Sequence, residues 1–220
     1  MTTSLRAYLV VAAIVAWVGL LLQLDVSTAL LAAQGRTIPY TLFRMLGYFT
    51  ILTNLVVASY YTVRLFDRPS RVAAWLAHPA VGSAIALYIS FVAFIFAVLL
   101  QHLVDLSGYA WVADTVLHYV TPALFVIYWA VFVPKRSLRW SYALAWAGYP
   151  LAYVIYALIR GGWSGFYPYP FIDVTVLGLP RVVLNAVVLL VVFYLAALLV
   201  ILIDRCWPFG GSKGTTTVMP

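Results

Sequence analysis

Six stretches of this chain stay apolar for about as long as a bilayer's hydrocarbon core is thick, and nothing else in it restricts the fold so severely. A helix rises 1.5 Å per residue, so about 20 residues cross a core of about 30 Å. Runs of that order occupy residues 5–24 (continuing to 33), 45–65, 80–103, 111–133, 138–159 and 179–203. Inside lipid the backbone must satisfy its own N–H and C=O groups, which such long continuous runs do as helices. The expected fold is all-α, a polytopic bundle of six transmembrane helices with both termini on one face. A chain that is 65% hydrophobic and 9% charged is too apolar for a soluble domain. The longest connection runs from Arg160 to about Gly178, so residues 1–207 form one transmembrane domain and 208–220 a flexible tail. The first run exceeds the roughly 7–15 apolar residues of a signal peptide and is expected to persist as a helix.

A net charge of +7 raises the question of a nucleic-acid partner, but the basic residues follow topology instead. With the amino terminus in the cytoplasm, that side carries Arg6, Arg64, Arg68, Arg71, Lys135, Arg136, Arg139, Arg205 and Lys213. The other side holds Arg36, Arg44, Arg160 and Arg181. This asymmetry predicts that both termini are cytoplasmic and that no nucleic acid is bound. The single Cys206 excludes an internal disulfide and a multi-cysteine metal site; it is either an acylation site or an idle interfacial thiol.

Polar groups within the runs are costly, which makes them the place to look for function. The stretch ADTVLHYVTPALFVIYW, residues 113–129, is the most informative. Asp114 precedes His118 by four residues and so shares its helical face, where it can orient the imidazole. Pro122 removes the amide that would bond the His118 carbonyl, which predicts a local opening of the helix. Counted from the expected helix ends, Thr53 in the second run lies about eight residues deep, His118 about seven and Asn185 about six, one shared level. Simpler readings stand beside this one. Asp114 also suits an N-cap, Thr53 can bond its own backbone, and Asn54 and Asn185 can join helices.

Other chemistries find less support. GWSGF at 162–166 has the second glycine directly after Ser164 and no strand before it, which fails as a nucleophile elbow. His102 and His118 on adjacent helices leave haem as an alternative, but the histidines have no metal-site spacing. Transport lacks acidic residues at the helix centres and an internal repeat. The loop RGGWSGFYPYPFIDVTVLG has the composition of a semi-rigid aromatic flap over a lipid entrance, or of a plain interfacial aromatic belt.

Together YFTILTNL, LHYVTPAL and GFYPYPFID, spread over nearly the whole chain, resemble the bacterial branch of the androgen-induced and androgen-dependent six-helix membrane proteins. The resemblance implies an intramembrane threonine hydrolase acting on fatty acid esters of hydroxy fatty acids, in a bacterial inner (plasma) membrane. It implies Thr53 as nucleophile and His118 as base, with Thr50 one turn before Thr53 as the competing hydroxyl. Asn54, Asn185 and Tyr119 are candidate oxyanion donors, Asp114 the orienting carboxylate, and Arg44 or Arg181 the partner of a substrate carboxylate. Neither a cofactor nor a metal is expected. The alternative function is a non-enzymatic lipid- or haem-binding bundle.

Overall fold

The computed structural model describes residues 2–66, 68–103 and 105–208, so the expected flexible tail lies, from 209 onward, outside the described residues. In chain order the helices are α1 (Thr3–Ala32), α2 (Ile38–Met45), α3 (Phe49–Phe66), α4 (Arg71–Leu76), α5 (Pro79–Ile95), α6 (Gly108–Thr115), α7 (Thr121–Phe132), α8 (Tyr142–Ser164), α9 (Val174–Leu177) and α10 (Leu179–Arg205). A π-helical turn, Phe96–Leu100, and a 3-10 turn, Gln101–Leu103, prolong α5; a second π turn, Val116–Val120, joins α6 to α7. Counting these continuations, the described residues hold six helices long and apolar enough to cross a membrane, as the apolar runs predict, and no strand. The chain is an integral membrane protein by that criterion.

Local chemistry sets the helix ends. The Thr2 hydroxyl accepts the Leu5 amide at 3.3 Å to begin α1. His78 caps α5 through Nδ1 on the Ala80 amide at 3.2 Å, with Pro79 where its missing amide costs nothing. Gly165 ends α8 in the left-handed conformation, φ 66°.

Three boundaries differ from the sequence expectation. The second run breaks at Gly47 and Tyr48, so α3 starts at Phe49 rather than at 45. Side chains of α8 cover the carbonyls at that corner: the Tyr156 hydroxyl donates to Leu46 O at 3.1 Å, Tyr153 to Gly47 O at 2.9 Å, and Arg160 to Phe43 O. Gly47 leaves room for this arginine, since an added Cβ would lie 1.9 Å from an Arg160 guanidinium nitrogen and displace it. The fifth span starts at Tyr142, because buried Asp204 of α10 takes the Ser137 and Leu138 amides at 3.0 and 3.1 Å. It continues through Gly161 and Gly162 to Ser164, which shortens the long connection to 165–178. Asp114 is not an N-cap: α6 begins six residues earlier, at Gly108.

The interior is aromatic and small-residue packing. Tyr60, Tyr61, Phe125 and Tyr128 are buried together, with the Tyr60 and Tyr128 hydroxyls 3.3 Å apart. On α1 the buried residues Ala12, Ala13, Ala16 and Gly19 allow close helix approach, the main packing device where lipid is as apolar as leucine. The 165–178 connection forms a strap at the end of the bundle away from the termini, with Tyr169 and Ile172 buried in the protein.

Candidate functional site

Beneath the strap, the first turn of α3 meets the π turn that carries His118. Thr50 is the second residue of α3, so its amide is one of the four that an α-helix leaves without an internal partner. The hydroxyl of Tyr169 accepts that amide at 3.3 Å and lies 3.4 Å from Thr50 Oγ1. The α3 dipole also places partial positive charge where Thr50 Oγ1 would become anionic.

His118 is fixed from two sides. Its Nδ1 is 3.0 Å from Asp114 Oδ1 and 3.1 Å from Asp114 O, two acceptors that assign the proton to Nδ1. Its Nε2 is then the acceptor, and it faces Thr50 Oγ1 at 3.4 Å. Phe96 stacks on the imidazole at 3.8 Å between centroids and 11° between planes, so the two π turns touch at the histidine. Such turns re-aim the side chains they carry and recur at functional sites.

The hydroxyl presented to His118 therefore belongs to Thr50, and Thr53 does not occupy the position expected of it. Fully buried Thr53 pairs with Tyr149 of α8, hydroxyl to hydroxyl at 3.2 Å. Three residues on a helix separate the two threonines by about 60° in azimuth and about 4.5 Å along the axis. That rotation turns one toward the π turn and the other toward α8.

The expected oxyanion donors are engaged elsewhere. Asn54 is buried and its Nδ2 bridges Thr50 O at 2.9 Å and Leu117 O at 3.3 Å, tying α3 to the π turn. Asn185 donates to Phe171 O at 2.9 Å and so anchors the strap to α10. Tyr119 points away to Gln101 Oε1 at 2.6 Å. Tyr169, missed in the sequence, is the donor left at Thr50. Its flanking prolines, in YPYP, were the available signal for a fixed strap residue.

Arg44 lines the site and stacks on Phe166 of the strap, its guanidinium carbon 3.6 Å from the ring centroid. Arg181 is exposed at the start of α10 and does not line the cavity. That cavity measures about 470 Å³ and is bordered by Gln23, Ser27, Arg44, Thr50, Asp114 and His118 among others. Burial pushes the Tyr169 hydroxyl up to about 12, with Thr50 lowering it in part, so it is a neutral donor at physiological pH. Both nitrogens of His118 are occupied within the protein, an arrangement poorly suited to an axial haem ligand, and His102 is exposed. Compared with models of known families, with curated proteins and with solved structures, the chain matches none.

Proposed function

We propose that the chain is an intramembrane lipid ester hydrolase in which Thr50 is the nucleophile, His118 the base and Asp114 the residue that orients His118. The observation that carries this reading is the aligned set Thr50 Oγ1, His118 Nε2 at 3.4 Å, and Nδ1 held on Asp114 at 3.0 Å. An alcohol is almost never ionised at neutral pH, so a threonine nucleophile requires such a base.

Catalysis follows in two halves. His118 Nε2 takes the Thr50 proton as Oγ1 bonds to the ester carbonyl carbon; the imidazolium is stabilised by the carboxylate of Asp114. Tyr169, already directed at Oγ1 by accepting the Thr50 amide, is the nearest donor for the developing oxyanion. The carbonyl reforms, the alkoxy carbon–oxygen bond breaks, and His118 returns the proton to the departing alcohol. Water, deprotonated by His118, then attacks the acyl-threonine; the bond from the acyl carbon to Thr50 Oγ1 breaks, His118 returns the proton to that oxygen, and the acid leaves.

The substrate class, fatty-acyl esters and by resemblance fatty acid esters of hydroxy fatty acids, fits a site within a bundle of lipid-embedded helices. Arg44 at the cavity wall is the cation for a substrate carboxylate. The excess of basic residues at the end with the termini supports a reading with both termini in the cytoplasm and the strap outside, on a bacterial plasma membrane.

The test is hydrolysis of a fatty-acyl ester series by purified wild type, Thr50→Val, Thr53→Val and His118→Gln. We expect Thr50→Val and His118→Gln to lose at least about 10³-fold in kcat. Thr53→Val should retain activity within a few-fold. An inactive Thr53→Val beside an active Thr50→Val would transfer the nucleophile to Thr53. Wild type inert to esters and to a hydroxyl-directed phosphonate probe would leave a lipid-binding bundle.

A further inference from the structure

Thr50 and Tyr169 border two cavities at once. Beside the large cavity, whose walls mix aliphatic side chains such as Leu30, Met45 and Leu106 with Gln23, Arg44, Asp114 and His118, lies a second of about 70 Å³, between α3, α5, α8 and α10, with walls that include Phe91, Ile95, Pro150, Ala186 and Leu189. No charged residue lines it, and its polar side chains are the hydroxyls of Thr50, Tyr153 and Tyr169. That of Tyr153 is committed to Gly47 O at 2.9 Å, so the polarity left in the chamber is concentrated at the nucleophile. His118 and Asp114, by contrast, line the large cavity and not the small one.

We propose that the small cavity is the acyl subsite, receiving the first carbons of the acyl chain, while the alcohol half of the ester lies in the large cavity. This inference rests on the hydrolase reading above and adds the direction in which the substrate lies. The departing alkoxide must collect its proton from His118, so the alcohol leaves on the side His118 lines. The acyl carbon stays bonded to Thr50 Oγ1, and its chain is left with the other cavity. At about 10–15 Å³ per water, the small chamber holds the equivalent of about five waters. A short segment of chain fills it, and further carbons leave between Ile95 and Leu189, both half-buried at the lipid-facing surface.

Discrimination by chain length is the consequence. Each methylene that enters an apolar chamber should raise kcat/KM about fourfold, and those beyond it should add little. The experiment measures kcat/KM for esters of one alcohol with acyl chains of increasing length, in wild type, Ala186→Phe and Leu189→Ala. We expect a rise followed by a plateau. The break should move to shorter chains in Ala186→Phe, which fills the chamber, and to longer chains in Leu189→Ala, which enlarges it. Leu189 is on the half-buried face, so its truncation keeps the test available should the larger residue prevent folding. Hydrolysis without a break, or with one that neither variant moves, overturns the acyl subsite and leaves the hydrolase standing. No hydrolysis at any length by the wild type removes both.

Discussion

At the scale of single residues, the site depends on the direction of a few hydrogen bonds. Thr50 N–H donates to the Tyr169 hydroxyl, which frees the Tyr169 proton for Thr50 Oγ1 and frees the Thr50 proton for His118 Nε2. Tyr169→Phe keeps the ring packed on Phe171, stacked at 5.2 Å, and removes only the donor. We expect a loss of about 10²–10³-fold in kcat with the unfolding midpoint little changed, read by ester kinetics and thermal denaturation of the same preparation. Tyr61 offers a contrasting case, because its buried hydroxyl has no hydrogen-bond partner among the described residues. Tyr61→Phe should stabilise the protein by about 1 kcal/mol in denaturant titration, and destabilisation would show that the hydroxyl is bonded in the membrane. His118 and Asp114 were legible from their four-residue spacing. The choice between Thr50 and Thr53 was not, since a shift of about 60° is decided by which neighbouring helix each side chain meets.

Among the elements, two irregular ones assemble the site: the π turn before Pro122 and the strap. Pro122 gave notice of the first, because a missing amide must alter the hydrogen-bond ladder, although the form of the change was not predictable. The strap's depth was not legible at all, since a tyrosine-rich loop has the same composition whether it lies on the interface or folds into the protein. Its seat is Gly161, where an added Cβ would lie 2.1 Å from a carbon of the Tyr167 ring. Gly161→Ala therefore displaces the Tyr167 ring from its seat, two residues before Tyr169, while costing α8 nothing in helix propensity. We expect about a 10²-fold fall in kcat, as small displacements of a reacting group produce, together with faster protease cleavage within 165–178. Normal kinetics in this variant would show that Tyr169 is held independently of Tyr167.

For the molecule as a whole, the bilayer made the number of spans legible and hid how they pack. Length and hydropathy define a span, so each of the six apolar runs contains a membrane-length helix, two of them with π or 3-10 turns within the span. Helices in lipid are apolar on nearly every side, which removes the hydrophobic stripe that orients a helix in water. What remains legible at this scale is charge. Arg36, Arg44, Arg160 and Arg181 belong to the strap end, and the larger basic set to the end with the termini. Arg136 and Arg205 of that set are bound into the structure, to Trp207 O at 3.0 Å and Leu138 O at 3.3 Å, yet their charge still biases insertion. Orientation can be read without altering the protein, because Cys206 is its single cysteine and is exposed at the end of α10. A membrane-impermeant maleimide should leave Cys206 unmodified in intact cells and modify it in inverted vesicles or after lysis. Modification in intact cells would reverse the topology, place the strap and the mouth of the site in the cytoplasm, and move the source of substrate to the inner leaflet.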